Sequence, residues 1–171
     1  MPTIHTIGHS TRSLEELVEM LRAHGVAGIA DVRRFAGSRR LPHFNADSLA
    51  TALPHIGMVY LPCPLLGGRR RPDPASTNTG WRNASFRAYA DYMQSPPFAE
   101  GLEHLIDHAR RTPLAMMCAE AVPWRCHRSL IADALIVRGW VVLDIMSKSK
   151  ANPHKLTPFA KVQSLVITYP G

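Results

Sequence analysis

The chain reads as a single α/β domain over residues 1–171, with a mainly parallel sheet of about five strands flanked by helices in a Rossmann-like arrangement. Three observations predict this. Short apolar runs alternate with helically spaced segments along the chain. The run at 26–32 is apolar throughout, as strands covered on both faces tend to be. Helix start and stop signals fall between the runs, most plainly Ser13 and Glu16 at capping-box spacing, followed by Gly25.

The elements follow in order. Residues 3–8 form a β-branched strand ending on glycine. Leu14, Leu17, Val18 and Leu21 then hold helical spacing, and Gly25 suits the position just past the helix end. The second strand, 26–32, ends with Asp31, and Arg33 follows. A basic loop with Gly37 and Pro42 leads to a helix at 46–53, capped by Asn45 or Asp47, and residues 58–61 make a third strand. Residues 62–80 contain four prolines, three glycines and an arginine triplet, a long loop of the kind that is usually functional or mobile. Helices are expected at 85–93 and 97–111, a fourth strand at 114–118, a helix at 127–138 closed by Gly139, and a fifth strand at 140–146. The tail holds Pro153 and Pro158, and the apolar stretch 162–167 receives no assignment.

Composition narrows the function classes. Hydrophobic residues make up 46% and charged residues 19%, values of an ordinary globular protein. No apolar run approaches the ~20 residues that span a bilayer. The start, MPTIHTIGHS, lacks the charged head and apolar core of a signal peptide, so a cytoplasmic location without membrane partners is expected. Three cysteines, an odd number, argue for free thiols. The formal charge of +7 sits largely in two clusters: Arg33, Arg34, Arg39 and Arg40, then Arg69, Arg70 and Arg71. Two readings stand: solvated loops, or a surface for a polyanion or phosphate-bearing ligand. Aromatic residues are 7% and few lie among these arginines, so no stacking platform for single strands is evident.

The richest stretch is 114–129, LAMMCAEAVPWRCHRS. An apolar strand ends on Cys118, a loop carries Glu120 and Arg125, and a helix begins near Cys126, His127, Arg128 and Ser129. Unpaired amides and the dipole of a helix start favour anions and lower a nearby thiol's pKa. In parallel sheets ligands bind beyond the carboxyl ends of the strands. His9 and Ser10 follow strand one, Asp31 and Arg33 strand two, and Cys63, Gly67 and Gly68 strand three. With the 118–128 loop after strand four, four segments distant in sequence should therefore share one rim.

At these residues the chain resembles the DUF488 family, small bacterial and archaeal proteins of undefined function. The matching pieces are Thr6-Ile-Gly-His-Ser10, Asp31-Val-Arg33, Pro42-x-Phe44-Asn45, Leu66-Gly-Gly68, Tyr92-Met93, Met117-Cys-Ala-Glu120 and Cys126-His-Arg128. They run in family order across about residues 3–145. One departure is Asp144, where the family often carries histidine. The resemblance implies an α/β fold with a functional rim, and no reaction.

Several chemistries fit the rim. A thiol enzyme would use Cys118 at a strand end, and the layout is similar to rhodanese sulfurtransferases and cysteine phosphatases. Asp31-Val-Arg33 likewise looks like the aspartate-x-arginine ending an earlier rhodanese strand. The ten-residue offset from Cys118 to Arg128 exceeds the compact cradle of those enzymes, and Pro123 and Trp124 stand where glycines would let backbone approach an anion. Against this, Cys118 is a small apolar core residue. Cys118 and Cys126 are also spaced for a transient disulfide. Cys118, Cys126, His127 and His9 offer a soft ligand set, although their offsets match no common zinc knuckle. Glu120 reads either as a general base or ribose-hydroxyl holder, or as an ion-pair partner of Arg125, Arg128 or Arg33. Asp31 and Arg33 read as a site pair or a structural one. Ser10 or Ser13 caps the first helix, which leaves His9 for the rim, and His127 orients Cys126 or titrates near neutrality. A tight turn suffices for Gly67 and Gly68, since Walker and dinucleotide fingerprints are absent.

The expectation is an enzyme with thiol-dependent chemistry on an anionic or nucleotide-like small molecule. Cys118, Glu120, Cys126 and His127 would be catalytic. His9, Ser10, Asp31, Arg33, Gly67, Gly68, Arg128 and Ser129 would bind the ligand. No resident metal is assigned and the cofactor is unknown. The alternatives are a nucleic-acid-binding or regulatory module using the arginine clusters, and a Cys/His metal-binding protein.

Overall fold

Ser13 accepts the Glu16 amide while the Glu16 carboxylate returns to the Ser13 amide, so the capping box forms in full and Ser13 is the cap. It opens α1 (Leu14–Ala23), which follows β1 (Thr3–Gly8). Next come β2 (Gly28–Asp31), α2 (Ala46–His55), β3 (Val59–Pro62), α3 (Ala84–Tyr92), α4 (Pro96–Ala109), β4 (Leu114–Cys118), α5 (Arg128–Val137) and β5 (Val141–Ile145). β6 (Ala151–Pro153), β7 (Lys161–Gln163) and β8 (Val166–Thr168) complete the chain. This computed structural model describes all residues except 35–36, 38–39 and 69.

The sheet order is β3-β2-β4-β1-β5-β6. Its first five strands are parallel, and β6 pairs antiparallel with β5. The α/β expectation holds, with one short strand added at the edge. That strand, Ala-Asn-Pro, is too brief to show a period of two, and its proline fits only an edge. The unassigned stretch near 162–167 becomes a separate β7–β8 hairpin that turns at Ser164, at φ 56°.

Both faces of the sheet are covered, which explains the apolar runs. β4 is buried at all five positions and alternates between two cores. Ala115 and Met117 face Ile7, Ile29, Leu17, Leu21, Leu49 and Leu53, under α1 and α2. Leu114, Met116 and Cys118 face Tyr89, Phe98, Leu102, Leu130 and Ile131, under α3, α4 and α5. Each large aliphatic side chain so buried contributes about 1.5–3 kcal/mol. Among the described residues, no helix is long and apolar enough to cross a membrane.

The tail is fastened to α5 through one carboxylate. Asp133, fully buried, accepts from His154 Nε2 at 2.8 Å, Thr157 N at 3.1 Å, Thr157 Oγ1 at 2.6 Å and Tyr169 Oη at 2.8 Å. Asp133→Ala would strand all four donors. It is expected to lower stability by at least ~3 kcal/mol, since each buried group left unsatisfied costs about 1–3 kcal/mol. Urea unfolding reads that loss, and amide exchange should accelerate first in residues 151–171.

Candidate functional site

β4 lies between β2 and β1, with Cys118 opposite Gly8 and Met117 opposite Asp31. With β3 beside β2 and Pro62 opposite Asp31, all four expected segments therefore meet at the ends of adjacent strands. The ladder continues past them: His9 N donates to Cys118 O at 2.9 Å, Ser10 N to Ala119 O at 3.0 Å and Val32 N to Met117 O at 3.1 Å. Gly8 makes this possible. A Cβ there would stand 1.6 Å from the Glu120 carbonyl oxygen, so the loop after β4 rests directly on the end of β1.

That loop turns through one 3-10 turn, Pro123–Arg125, and enters α5 at Arg128. Arg128 is fully buried. Its Nη1 donates to Cys118 Sγ at 2.7 Å and to Glu120 O at 2.7 Å, and its Nη2 to Ala121 O at 3.4 Å. Its Nε has no hydrogen-bond partner, and among the described residues no carboxylate pairs with it. The sulfur of Cys118 is its one ionisable partner among those residues. An unpaired buried cation costs several kcal/mol, so the thiolate is the form this guanidinium favours. Burial alone would raise the Cys118 thiol. A hydrogen bond from the Cys126 thiol, the Arg128 charge and the Nη1 bond outweigh it, and the pKa falls below the ordinary thiol value. Cys126 is driven the other way, well above that value, by burial and by the same bond to Cys118. Cys63, buried near Asp31, is pushed up to about 12 by desolvation and then by that charge.

Cys126 is held from three sides. The first amide of α5, Arg128 N, donates to its Sγ at 3.4 Å. The Ser129 hydroxyl donates to its carbonyl at 2.9 Å. His127 Nδ1 lies 3.5 Å from its sulfur. His127 Nε2 faces the Val32 carbonyl at 2.8 Å, and a carbonyl only accepts, so Nε2 bears the proton and Nδ1 offers a lone pair. Burial depresses the His127 pKa to about 4, so it is neutral near pH 7 and orients Cys126 rather than titrating there.

Above these groups opens a cavity of about 240 Å³. Cys118, Cys126 and His127 form its floor side, Arg33, Arg34 and Arg125 supply positive charge, and Phe86 and Tyr89 of α3 an aromatic wall. Glu120 is exposed at the rim, and among the described residues its carboxylate makes none of the expected ion pairs.

The remaining expected residues serve around the cavity. Asp31 grips Arg33 through Nε at 2.8 Å and Nη2 at 2.7 Å, and accepts Tyr60 Oη at 2.7 Å. His9 stacks on Phe44 with ring centres 4.3 Å apart, and its Nε2 lies 3.4 Å from Arg33 Nη1. His9 thus positions Arg33 instead of lining the cavity. Ser10 occupies a left-handed turn at φ 49° and does not line it either. Gly67 lets the chain pass Arg34, and Gly68 lies against the His127 ring, where a Cβ would be 2.9 Å from Nδ1. Arg128 and Ser129 act beneath the floor, not on ligand. The four-ligand metal set does not assemble, since His9 and His127 turn their Nε2 atoms to Arg33 and Val32. Among the described residues, no three His, Cys, Asp or Glu converge as a metal site.

Of the arginine clusters, Arg70 stacks 3.6 Å above the Tyr92 ring and donates to Gly67 O, while Arg40 and Arg71 are exposed. Arg39 and Arg69 lie outside the described residues. Sequence reasoning missed Phe86, Tyr89 and Tyr60. The only signal for Phe86 and Tyr89 was the nearness of α3 in sequence to an arginine-rich loop, and for Tyr60 its place in the third strand.

A family model described as Domain of unknown function DUF488 matches residues 13–135. No curated protein matches the chain, and no solved structure does.

Iodoacetamide should label Cys118 first, with a rate midpoint below the ordinary ~8.5, and Cys126 and Cys63 only slowly. Arg128→Met should move the Cys118 midpoint up toward that value; mass-resolved labelling against pH measures it. Stability should respond unequally. Cys118→Ala, which leaves a buried cation without an anion, is expected to cost about 3–5 kcal/mol. Arg128→Met, which lets the thiol protonate, should cost clearly less in urea unfolding.

Proposed function

Since the chain belongs to the DUF488 family, whose function is undefined, we propose from its site that it is an enzyme using Cys118 as a thiolate on an anionic small molecule. One observation carries this reading: a fully buried guanidinium whose anionic partner, among the described residues, is the Cys118 sulfur. A merely packed cysteine would not need a buried cation beside it. Reactive thiols stand in electropositive, partly open settings, and the cavity over Cys118 supplies both conditions.

Arg34 and Arg125 hold the negative charge of the substrate, and Arg33, kept in place by Asp31 and His9, adds a third positive group. Phe86 and Tyr89 accept its apolar part. Glu120 at the rim exchanges protons with the leaving group, the task left to it by a neutral His127 and a His9 engaged with Arg33. Arg128 keeps the nucleophile charged from below.

The test compares a charged and a neutral alkylating agent of the same size. Cys118 should prefer iodoacetate over iodoacetamide relative to a free thiol, because focused positive charge raises the local anion concentration. The Arg34→Ala, Arg125→Ala double variant should lose that preference by about tenfold, with the iodoacetamide rate nearly unchanged. An iodoacetate preference that survives both substitutions would remove the anion site.

A further inference from the structure

The cavity holds two thiols, and a single nucleophile explains only one. Attack on carbon or phosphorus needs one sulfur. A second sulfur in contact with the first is useful when the group carried on the first is itself sulfur, because only then can the neighbour displace it by exchange. Cys126 has the placement for this. It lines the same cavity as Cys118, and both sulfurs are held by one residue, Arg128, through Nη1 on Cys118 at 2.7 Å and the main-chain amide on Cys126 at 3.4 Å. The proton of the Cys126 thiol has an acceptor in His127 Nδ1, 3.5 Å away.

Resting on the thiolate reading of Cys118, we propose that Cys118 and Cys126 form a dithiol–disulfide couple that reduces low-molecular-weight disulfides bearing negative charge. In the first step the Cys118 thiolate attacks one sulfur of the bound disulfide. A Cys118–S–S–R bond forms, the substrate S–S bond breaks, and one thiolate leaves with the electron pair. In the second step Cys126 attacks Cys118 Sγ while its proton passes by way of His127 Nδ1 to the departing sulfur. The Cys118–Cys126 disulfide forms, the Cys118–S–R bond breaks, and the second half leaves as a thiol. The substrate gains two electrons, the cysteine pair loses two, and an external dithiol returns the enzyme to its reduced state.

Arg128 gives the couple a direction. In the reduced form its buried charge has the Cys118 thiolate; in the disulfide form that anion is gone. Stabilising the reduced form makes a couple more oxidising. The disulfide state should therefore be readily reduced by the external dithiol, while excess substrate disulfide drives the first half of the cycle.

The experiment mixes the reduced protein with glutathione disulfide, which is anionic, and separately with cystamine, which is cationic. Adducts are mapped by mass spectrometry and released thiol is counted. The native chain should release two thiols per molecule and end with Cys118 bonded to Cys126. Cys126→Ser, and independently Cys126→Ala, should stop at one released thiol with a single glutathione on Cys118. Glutathione disulfide should react at least about tenfold faster than cystamine. If Cys118 takes no adduct in any of these proteins, the thiolate reading itself falls. If the native chain stops at the same adduct as Cys126→Ser, Cys118 stands as nucleophile and the couple is overturned. Equal rates for the two disulfides would overturn the anionic substrate class.

Discussion

A guanidinium shut away from water, with a cysteine sulfur as its hydrogen-bond partner, is the constraint to which the rest of this site answers. Arg128 opens a helix whose first eight residues are all buried. The helix dipole offers no help there, because its positive end meets a positive side chain. Compensation has to come from Cys118 and from the carbonyls of Glu120 and Ala121, which the loop aims inward. That aim requires the loop to sit on β1 at van der Waals contact, and hence a residue without a side chain at Gly8. A glycine at the end of one strand, a cysteine at the end of the next and an arginine at the start of a helix are parts of a single electrostatic arrangement.

The basic character of the chain divides by depth. Arg128 lies in the core, Arg33 is clamped by a buried carboxylate, and Arg34 and Arg125 line the open cavity. α5 carries its own contrast. Arg128 faces the site, and five residues later Asp133 binds the tail, so opposite charges on one buried helix satisfy different regions instead of each other. Formal net charge thus describes the surface incompletely, since part of it is internal.

Much of this was legible beforehand. The capping box, the apolar run of β2 and the polar residues just past strand ends have local causes, and these fixed the α/β class and the convergence of His9, Asp31, Arg33 and Cys118 on one rim. The rest depended on distance. β6 is three residues long and exists because β5 offers an edge, not because Ala-Asn-Pro favours extension. The role of His9 as a support for Arg33 depends on Phe44, 35 positions away in sequence, stacking beneath it. Burial of Arg128 was hidden because nothing in Cys-His-Arg-Ser distinguishes an arginine turned inward from one reaching for ligand. The aromatic wall comes from a helix whose own periodicity says only that one face is apolar.

The order of the sheet also bears on the chain's birth. β1 precedes the other strands described, yet both its neighbours come late: Ala115 pairs with His5, and Asp144 with Thr6. At synthesis rates of about 5–20 residues per second, β1 waits roughly 5–20 seconds for β4 to be made, and longer for β5. Meanwhile β2 and β3 can pair at one side, leaving between them and β1 the gap that β4 must enter. Ile4 and Ile7, fully shielded in the finished protein, are during that interval a naked apolar edge. Side chains that the finished fold shields completely are thus the ones left waiting longest for their partners.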